Sequence, residues 1–136
     1  MMILVDTSVL IDYFKGLENK PVKKFHQILE SNIPFGISHF IYMEVLQGSQ
    51  TDKDFNVLKK YLITQTFYEL KSGRESYAEA ARMYLQLRKK GVTVKSTIDC
   101  LIARIAVENE LFLLHNDADF DRIAKHFPLK IWNVEI

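Results

Sequence analysis

Short apolar runs alternate along this chain with longer segments whose apolar residues recur at helical spacing. Runs at residues 3–5, 33–37 and 111–114 are too short for helices but suit buried strands. Residues 66–70 and 130–132 predict two more, the first of them an edge-like strand. Helices between short apolar strands favour parallel pairing. We therefore predict a three-layer α/β domain, with a parallel sheet of four or five strands and helices on both faces.

Residues typical of helix ends mark the helical segments. Ser38 and Ser96 stand where N-caps are expected, and Gly16, Gly48 and Gly91 follow the ends of three segments. The predicted helices cover residues 8–15, 21–30, 38–46, 52–61, 74–90, 96–109 and 119–126.

Length and cysteine content limit the class of protein. The 136 residues contain no repeat or linker, so we expect one domain over residues 1–136. The single cysteine, Cys100, excludes an internal disulfide and suits a reducing compartment. No apolar run is long enough to span a membrane, and no basic region precedes the first one. We expect a cytoplasmic protein without membrane contact; the net charge of +1 neither demands nor excludes nucleic acid.

Acidic residues follow two of the predicted strands. Asp6 comes directly after residues 3–5, and Asp117, Asp119 and Asp121 alternate just beyond residues 111–114. In open parallel sheets, ligands bind outside the carboxyl ends of the strands, where the strand order changes direction. If these two strands are neighbours there, their carboxylates converge at a functional edge.

Two further acids lie in unusually apolar helices. Glu44 is flanked by apolar residues in FIYMEVL, and in IDCLIARIAV only Arg104 otherwise interrupts the apolar pattern around Asp99. An ionised carboxylate in such a setting is costly unless it is paired or bound to a metal. Aspartate is also a poor residue for a helix interior. Stability alone gives no reason for these two acids.

Several carboxylates on separate elements indicate a site for a hard divalent cation. Mg²⁺ and Mn²⁺ take oxygen ligands, lower the pKa of a bound water and stabilise charge on a phosphate. The sequence has no Cys/His pair at zinc spacing, no phosphate-binding glycine motif and no GxSxG. Metal-assisted chemistry on a phosphate is therefore favoured over zinc, nucleotide-cradle and serine-hydrolase chemistry.

Four acidic segments occur in a recognisable order: Asp6-Thr7-Ser8, Glu44, Asp99 in TIDCLIA and Asp117 in HNDADF. With this set the chain resembles the PIN-domain ribonucleases, and among them the VapC-type toxins of type II toxin–antitoxin pairs. The resemblance runs from Met2 to about Trp132. It implies an acidic pocket for Mg²⁺ or Mn²⁺ and endonucleolytic cleavage of structured RNA, either transfer or ribosomal RNA. It also implies an antitoxin partner that blocks the pocket, and a homodimer.

The resemblance also implies roles for individual residues. Asp119 matches an additional metal-binding acid, Thr7 or Ser8 the hydroxyl that supports the first aspartate, and Asn116 a small polar position. The catalytic, metal-binding quartet is matched by Asp6, Glu44, Asp99 and Asp117.

Several of these residues also have ordinary structural explanations. Asp6, Thr7 and Ser8 are common helix caps, and Asp99 could complete a capping box with Ser96. The aspartates that follow residues 111–114 could simply favour a helix N-terminus. Glu44 could pair with a lysine on the helix surface.

Other polar residues are expected outside the cation site. We expect Asp12 and Asp121 on solvated faces, and His115 packed or hydrogen-bonded at the end of its strand. Arg82 and Arg88, on the longest predicted helix, are candidates for contacts with RNA or a protein partner.

Competing functions fit the sequence less well. A receiver domain needs a lysine after its last strand, whereas here Lys130 precedes Ile131. A haloacid-dehalogenase-like phosphatase needs a second aspartate two residues after Asp6, where this chain has Ser8. A non-catalytic PIN-like module that binds RNA or protein is the remaining alternative, although such a module would typically have lost part of the quartet. We therefore predict a metal-dependent endoribonuclease that leaves 5′-phosphate and 3′-hydroxyl ends.

Overall fold

The computed structural model describes residues 2–134 and contains one five-stranded sheet. Its strands are β1 (Ile3–Val5), β2 (Phe35–Ile37), β3 (Thr66–Phe67), β4 (Phe112–Leu114) and β5 (Lys130–Ile131). The strand order is β3-β2-β1-β4-β5, and all four pairings are parallel. The predicted parallel sheet is confirmed, with β3 at an edge.

Seven helices connect the strands in the part of the chain that the structure describes. Side chains of Asp6, Asn19, Ser38, Thr51, Ser96 and Asp117 cap six of them by accepting a backbone N–H. The helices are α1 (Thr7–Phe14), α2 (Lys20–Glu30), α3 (His39–Gln47), α4 (Asp52–Leu62), α5 (Arg74–Lys89), α6 (Thr97–Glu108) and α7 (Ala118–Ala124).

The predicted elements differ from the observed ones mainly at their ends. The strand predicted over residues 33–37 begins at Phe35, since Pro34 has no N–H to donate to a neighbouring strand. The strand predicted over residues 66–70 shortens to two residues at the sheet edge. Ser96 and Asn109 flank α6 as its caps rather than lying within it.

The direction of the crossovers divides the helices into two layers. The chain moves outward from β1 to β2 and β3, and then returns past them to β4 and β5. Parallel crossovers are right-handed, so α1–α4 cover one face of the sheet and α5–α7 cover the other. Helix α1 packs on α2 and α3, whereas α6 packs on α5 and α7. The predicted three-layer architecture is therefore confirmed.

The core explains why the strands read as continuous apolar runs. All three residues of β1 are fully buried, because this central strand is covered on both faces. Helix α6 is buried on most sides, including the thiol-bearing Cys100. None of the helices within residues 2–134 is long and apolar enough to cross a membrane.

The change in strand order falls between β1 and β4. These neighbouring strands pair in register from Ile3 with Phe112 to Val5 with Leu114. The Asp6 N–H extends the pairing by donating to the Leu114 carbonyl oxygen at 2.9 Å. The residues that follow both strands are consequently held at one edge of the sheet.

Gly36 is required where β2 meets β3. A Cβ at this position would lie 2.5 Å from the Thr66 carbonyl oxygen and 2.5 Å from the Tyr68 ring. We expect Gly36→Ala to lower the free energy of unfolding by about 1–3 kcal/mol, as overpacked sites do. Gly48→Ala is the matched control, because its Cβ would lie 3.4 Å from the nearest atom, the Val45 carbonyl oxygen. Urea unfolding of both variants tests this, and equal stabilities would contradict it.

Candidate metal centre

Three carboxylates meet at the carboxyl edge of the sheet. Asp99 lies in the first turn of α6, Asp117 caps α7, and Asp119 lies in the first turn of α7. Each offers an oxygen that lies within 4.8 Å of an oxygen of the other two. Asp119 is buried, and the other two are partly exposed. We call these residues the aspartate trio.

The aspartate trio holds more negative charge than its surroundings compensate. The pKa of Asp99 is raised from 3.8 to about 7, first by burial and then by the negative charges of Asp117, Asp6 and Asp119. Ser96 caps α6 through its own side chain, whereas the Asp99 carboxylate hydrogen-bonds with Asp119. Asp99 thus faces the other acids instead of closing a capping box, and its proton occupies a place suited to a cation.

Asp6 is both a helix cap and a member of the acidic edge. Its Oδ2 accepts the Ser8 N–H at 3.0 Å and the Ser8 hydroxyl at 2.6 Å. Burial raises the pKa of Asp6, and these bonds oppose that rise. The charge of Asp6 in turn raises the pKa of both Asp99 and Glu44. The capping explanation is therefore correct, and it does not remove Asp6 from the acidic edge.

Glu44 reaches the same edge from α3. Its Oε1 accepts the Thr7 hydroxyl at 3.0 Å, and no lysine pairs with it in the described part of the chain. Burial is the main cause that raises the Glu44 pKa, while the Thr7 bond lowers it. Thr7 thus fixes the position of the carboxylate and favours its charged form.

Removing the Thr7 hydroxyl should therefore disturb Glu44 specifically. We expect Thr7→Val to raise the pKa of Glu44 further and to cost about 1 kcal/mol of stability, the usual net value of such a bond. Thr7→Ser keeps the hydroxyl and serves as the control. Carbon-13 NMR titration of the Glu44 carboxyl carbon measures the change. An unchanged Glu44 titration in Thr7→Val would show that the bond does not act on this carboxylate.

Ser8 connects the ends of β1 and β4. While its hydroxyl donates to Asp6, its oxygen accepts the Asn116 N–H at 2.9 Å. The Asn116 side chain donates to Asp12 Oδ2 at 3.2 Å, and Asn19 donates to the same oxygen at 3.0 Å. Asp12 was expected on a solvated face, but it is half-buried and joins the segments that carry Asn19 and Asn116. Its place one helical turn after Ser8 is the sequence signal that could have revealed this role.

Two basic residues contact the aspartate trio and were not predicted. Arg122 Nη1 lies 2.5 Å from Asp119 Oδ1, and the Lys95 backbone N–H donates to Asp119 Oδ2 at 3.0 Å. The exposed ammonium of Lys95 lies 3.6 Å from Asp117 Oδ2. Arg122 follows Asp119 at the i,i+3 spacing of a helix, so that pair could have been anticipated. Nothing local in the sequence connects Lys95 with Asp117.

His115 organises the loop between β4 and α7. Its Nδ1 accepts the Asp117 N–H at 3.0 Å, and its Nε2 lies 3.3 Å from Asp121 Oδ1. The side chain is 6% exposed and packs against Phe120. His115 therefore lies at the strand end as predicted, and Asp121 is exposed but paired with it.

The arginines predicted to contact RNA or a partner do not join this site. Arg82 forms an exposed pair with Glu79 at 3.6 Å, and Arg88 lies over the Tyr84 ring. Both are on α5, and neither contacts the aspartate trio within the described residues. Their suggested role in binding stays a prediction.

The donor atoms of the aspartate trio suit a hard divalent cation. All of them are carboxylate oxygens, the ligand type that Mg²⁺ and Mn²⁺ prefer. The neighbouring Cys100 is buried, and its pKa is raised to about 11, so a zinc-binding thiolate is disfavoured. A bound cation would share Asp119 with Arg122 and Asp117 with Lys95. The arrangement can bind a divalent ion and place it at an open edge of the sheet.

Known proteins share both the sequence pattern and this fold. The family model described as PIN domain matches residues 3–126. Ribonuclease VapC11 of Mycobacterium tuberculosis is 31% identical over 125 residues, covering 91% of this chain and 92% of that protein. A crystal structure of VapBC2 from Rickettsia felis, bound to a promoter DNA fragment, has a TM-score of 0.73 at 18% identity and covers 99% of this chain and 100% of that one. VapBC-1 of nontypeable Haemophilus influenzae has a TM-score of 0.71 at 21% identity over 98% of both chains.

Proposed function

The chain belongs to the PIN-domain family, and on that premise we propose that it is a metal-dependent endoribonuclease and the toxin of a toxin–antitoxin pair. The observation that carries the proposal is the aspartate trio, in which burial and then mutual repulsion raise the pKa of Asp99 to about 7. Such a cluster is stabilised when a cation replaces the proton. The relative that is 31% identical is named a ribonuclease, which supports RNA as the substrate class.

The proposed site uses all five predicted acids. Asp99, Asp117 and Asp119 hold Mg²⁺ or Mn²⁺, with Asp6 and Glu44 beside them. When bound, the ion supplies a water of lowered pKa and offsets negative charge on the phosphate. Hydrolysis by water, without use of the RNA 2′-hydroxyl, leaves a 5′-phosphate and a 3′-hydroxyl.

The surrounding residues keep the carboxylates in place. Ser8 holds Asp6 and joins the ends of two strands, while Thr7 holds Glu44. Asn116 supports the site through its backbone N–H, and its side chain is held by Asp12. Fixed acids need little rearrangement when an ion binds, and preorganisation of this kind is how enzymes stabilise developing charge.

The proposed partners follow from the same family. We infer an antitoxin that covers the acidic edge, because the structural neighbours are VapBC assemblies. A homodimer, structured RNA such as transfer or ribosomal RNA as substrate, and action in the cytoplasm complete the proposal. The single buried cysteine is compatible with a reducing compartment.

Incubating purified protein with total RNA tests the proposed activity. We expect discrete fragments with Mg²⁺ or Mn²⁺ and none with EDTA. Mapping the fragment ends identifies the substrate and should find 5′-phosphates. A 2′,3′-cyclic phosphate would contradict the hydrolytic route. No cleavage by folded, inhibitor-free protein under any metal condition would favour a non-catalytic binding module.

A further inference from the structure

A cleft of about 460 Å³ opens beside the aspartate trio, at the carboxyl ends of β4 and β5. The cleft is lined by the loop that carries Asn116 and Asp117 and by the start of α2 with Lys20 and Lys24. Trp132, just after β5, forms part of the lining. Because Asp117 belongs to both, the cleft is continuous with the proposed reaction centre.

The charges of the two lysines in the cleft are not compensated by any residue that the structure describes. They are four residues apart on α2 and so lie on the same face of the helix. Lys20 is exposed and Lys24 half-buried, and neither forms an ion pair within residues 2–134. Two positive charges on one helix face, without counter-ions at the mouth of a cleft, favour an anionic ligand there.

Polar groups of the cleft also suit a nucleotide. The Asn116 amide nitrogen donates to Asp12, and no donor among residues 2–134 reaches the Asn116 amide oxygen. Asn133 adds a second amide to the lining. Trp132 is 2% exposed, and its indole N–H finds no acceptor in the described part of the chain. A buried donor without a partner is costly, and an oxygen entering the cleft would supply an acceptor beside it.

We propose that this cleft binds the RNA nucleotide next to the cleaved phosphate, with Lys20 and Lys24 on its phosphate group and the two asparagine amides on its base. This inference rests on the proposed ribonuclease function and adds a binding subsite to it. A ligand chain lying along the cleft passes directly to Asp117. RNA is favoured over an acidic peptide because the cleft offers two amides and the unpaired Trp132 N–H, which suit a base, in addition to its two cations.

Binding is tested separately from cleavage in the full-length Asp99→Asn background. Fluorescence anisotropy with fluorescein-labelled bulk transfer RNA measures the affinity at several salt concentrations. We expect Lys20→Gln and Lys24→Gln each to weaken binding by roughly threefold to tenfold, and each to reduce the salt slope by about 0.7–1. Lys23→Gln is the matched control, since Lys23 is exposed on α2 and does not line the cleft.

The outcomes separate the subsite from the ribonuclease proposal. The subsite alone would be overturned by two results together. The wild-type protein would cleave RNA, and the Lys20→Gln and Lys24→Gln variants would bind RNA as tightly as the Lys23→Gln control. Lysine variants that keep RNA affinity but lose binding to a labelled polyglutamate peptide would assign the cleft to a protein partner and overturn it as well. A wild-type protein that neither binds nor cleaves RNA would overturn both proposals.

Discussion

Replacing Asp99 by asparagine should abolish RNA cleavage and leave the metal-free protein at least as stable as the wild type. The substitution keeps the shape of the side chain but removes a carboxylate whose pKa is raised to about 7. It also removes one of three like charges whose oxygens lie within 4.8 Å of one another. A residue kept for stability would have the opposite effect, since its loss would lower the melting temperature.

The stability effect depends on pH in a defined direction. The pKa of Asp99 is about 7 in the folded protein and near 3.8 when unfolded, so the folded state binds this proton more tightly. Stability from this group is therefore present below about pH 4 and is lost as pH rises to about 7. Asp99→Asn does not lose this stability, so its free energy of unfolding should exceed that of the wild type by about 1–2 kcal/mol above pH 7. This value is smaller than the full pKa shift would give, because solvent screens a partly exposed carboxylate.

Thermal unfolding in EDTA across this pH range, alongside RNA cleavage in Mg²⁺, measures both effects. Asp52→Asn is the control, because Asp52 also lies in the first turn of a helix but is exposed and outside the acidic edge. It should cleave RNA normally. Retained cleavage by Asp99→Asn, or a strongly lowered melting temperature at neutral pH, would refute the assignment of Asp99.

Divalent-ion affinity should rise steeply with pH and level off near pH 7. Below that pH a binding ion must displace the Asp99 proton, so affinity should increase about tenfold per pH unit for one proton released. Above pH 7 the carboxylate is already ionised, and the dependence should flatten. Mg²⁺ should correspondingly raise the melting temperature more at pH above 7 than below it.

Calorimetric titration with Mg²⁺ in buffers of different ionisation enthalpy counts the released protons. We expect about one proton per ion at mildly acidic pH and fewer above pH 7. Asp99→Asn should bind the ion weakly, with little change over this range. Wild-type affinity that does not vary with pH would show that the ion does not displace the Asp99 proton.

The sequence predicted the sheet and its helices because their signals are local. A central strand covered on both faces must be apolar throughout, and capping residues such as Ser38 and Ser96 act within one helical turn. Strand ends were less predictable, since β3 and β5 have only two residues each and depend on pairing with a neighbour. The sequence close to a strand does not show which other strand it will pair with.

The acidic edge was predictable for a different reason. Glu44 and Asp99 conflict with their apolar helices, and such conflicts concentrate at functional sites. The residues that complete the edge were missed because they interact across the fold. Asp12 and Asn116 lie 104 positions apart, and Lys95 meets Asp117 only because the fold places α7 beside it. Contacts of this kind require the strand order, which the sequence pattern alone did not specify.

The pairing of β1 with β4 also sets the moment at which the active protein can appear. A nascent chain exposes Asp6 and Glu44 early, but Asp117 and Asp119 follow β4 and are made much later. Until β4 takes its place beside β1, the edge lacks most of its ion-binding oxygens. A partial chain that ends before β4 would thus lack the assembled site, and the proposed capacity to cut RNA would arise only after β4 and α7 have been made.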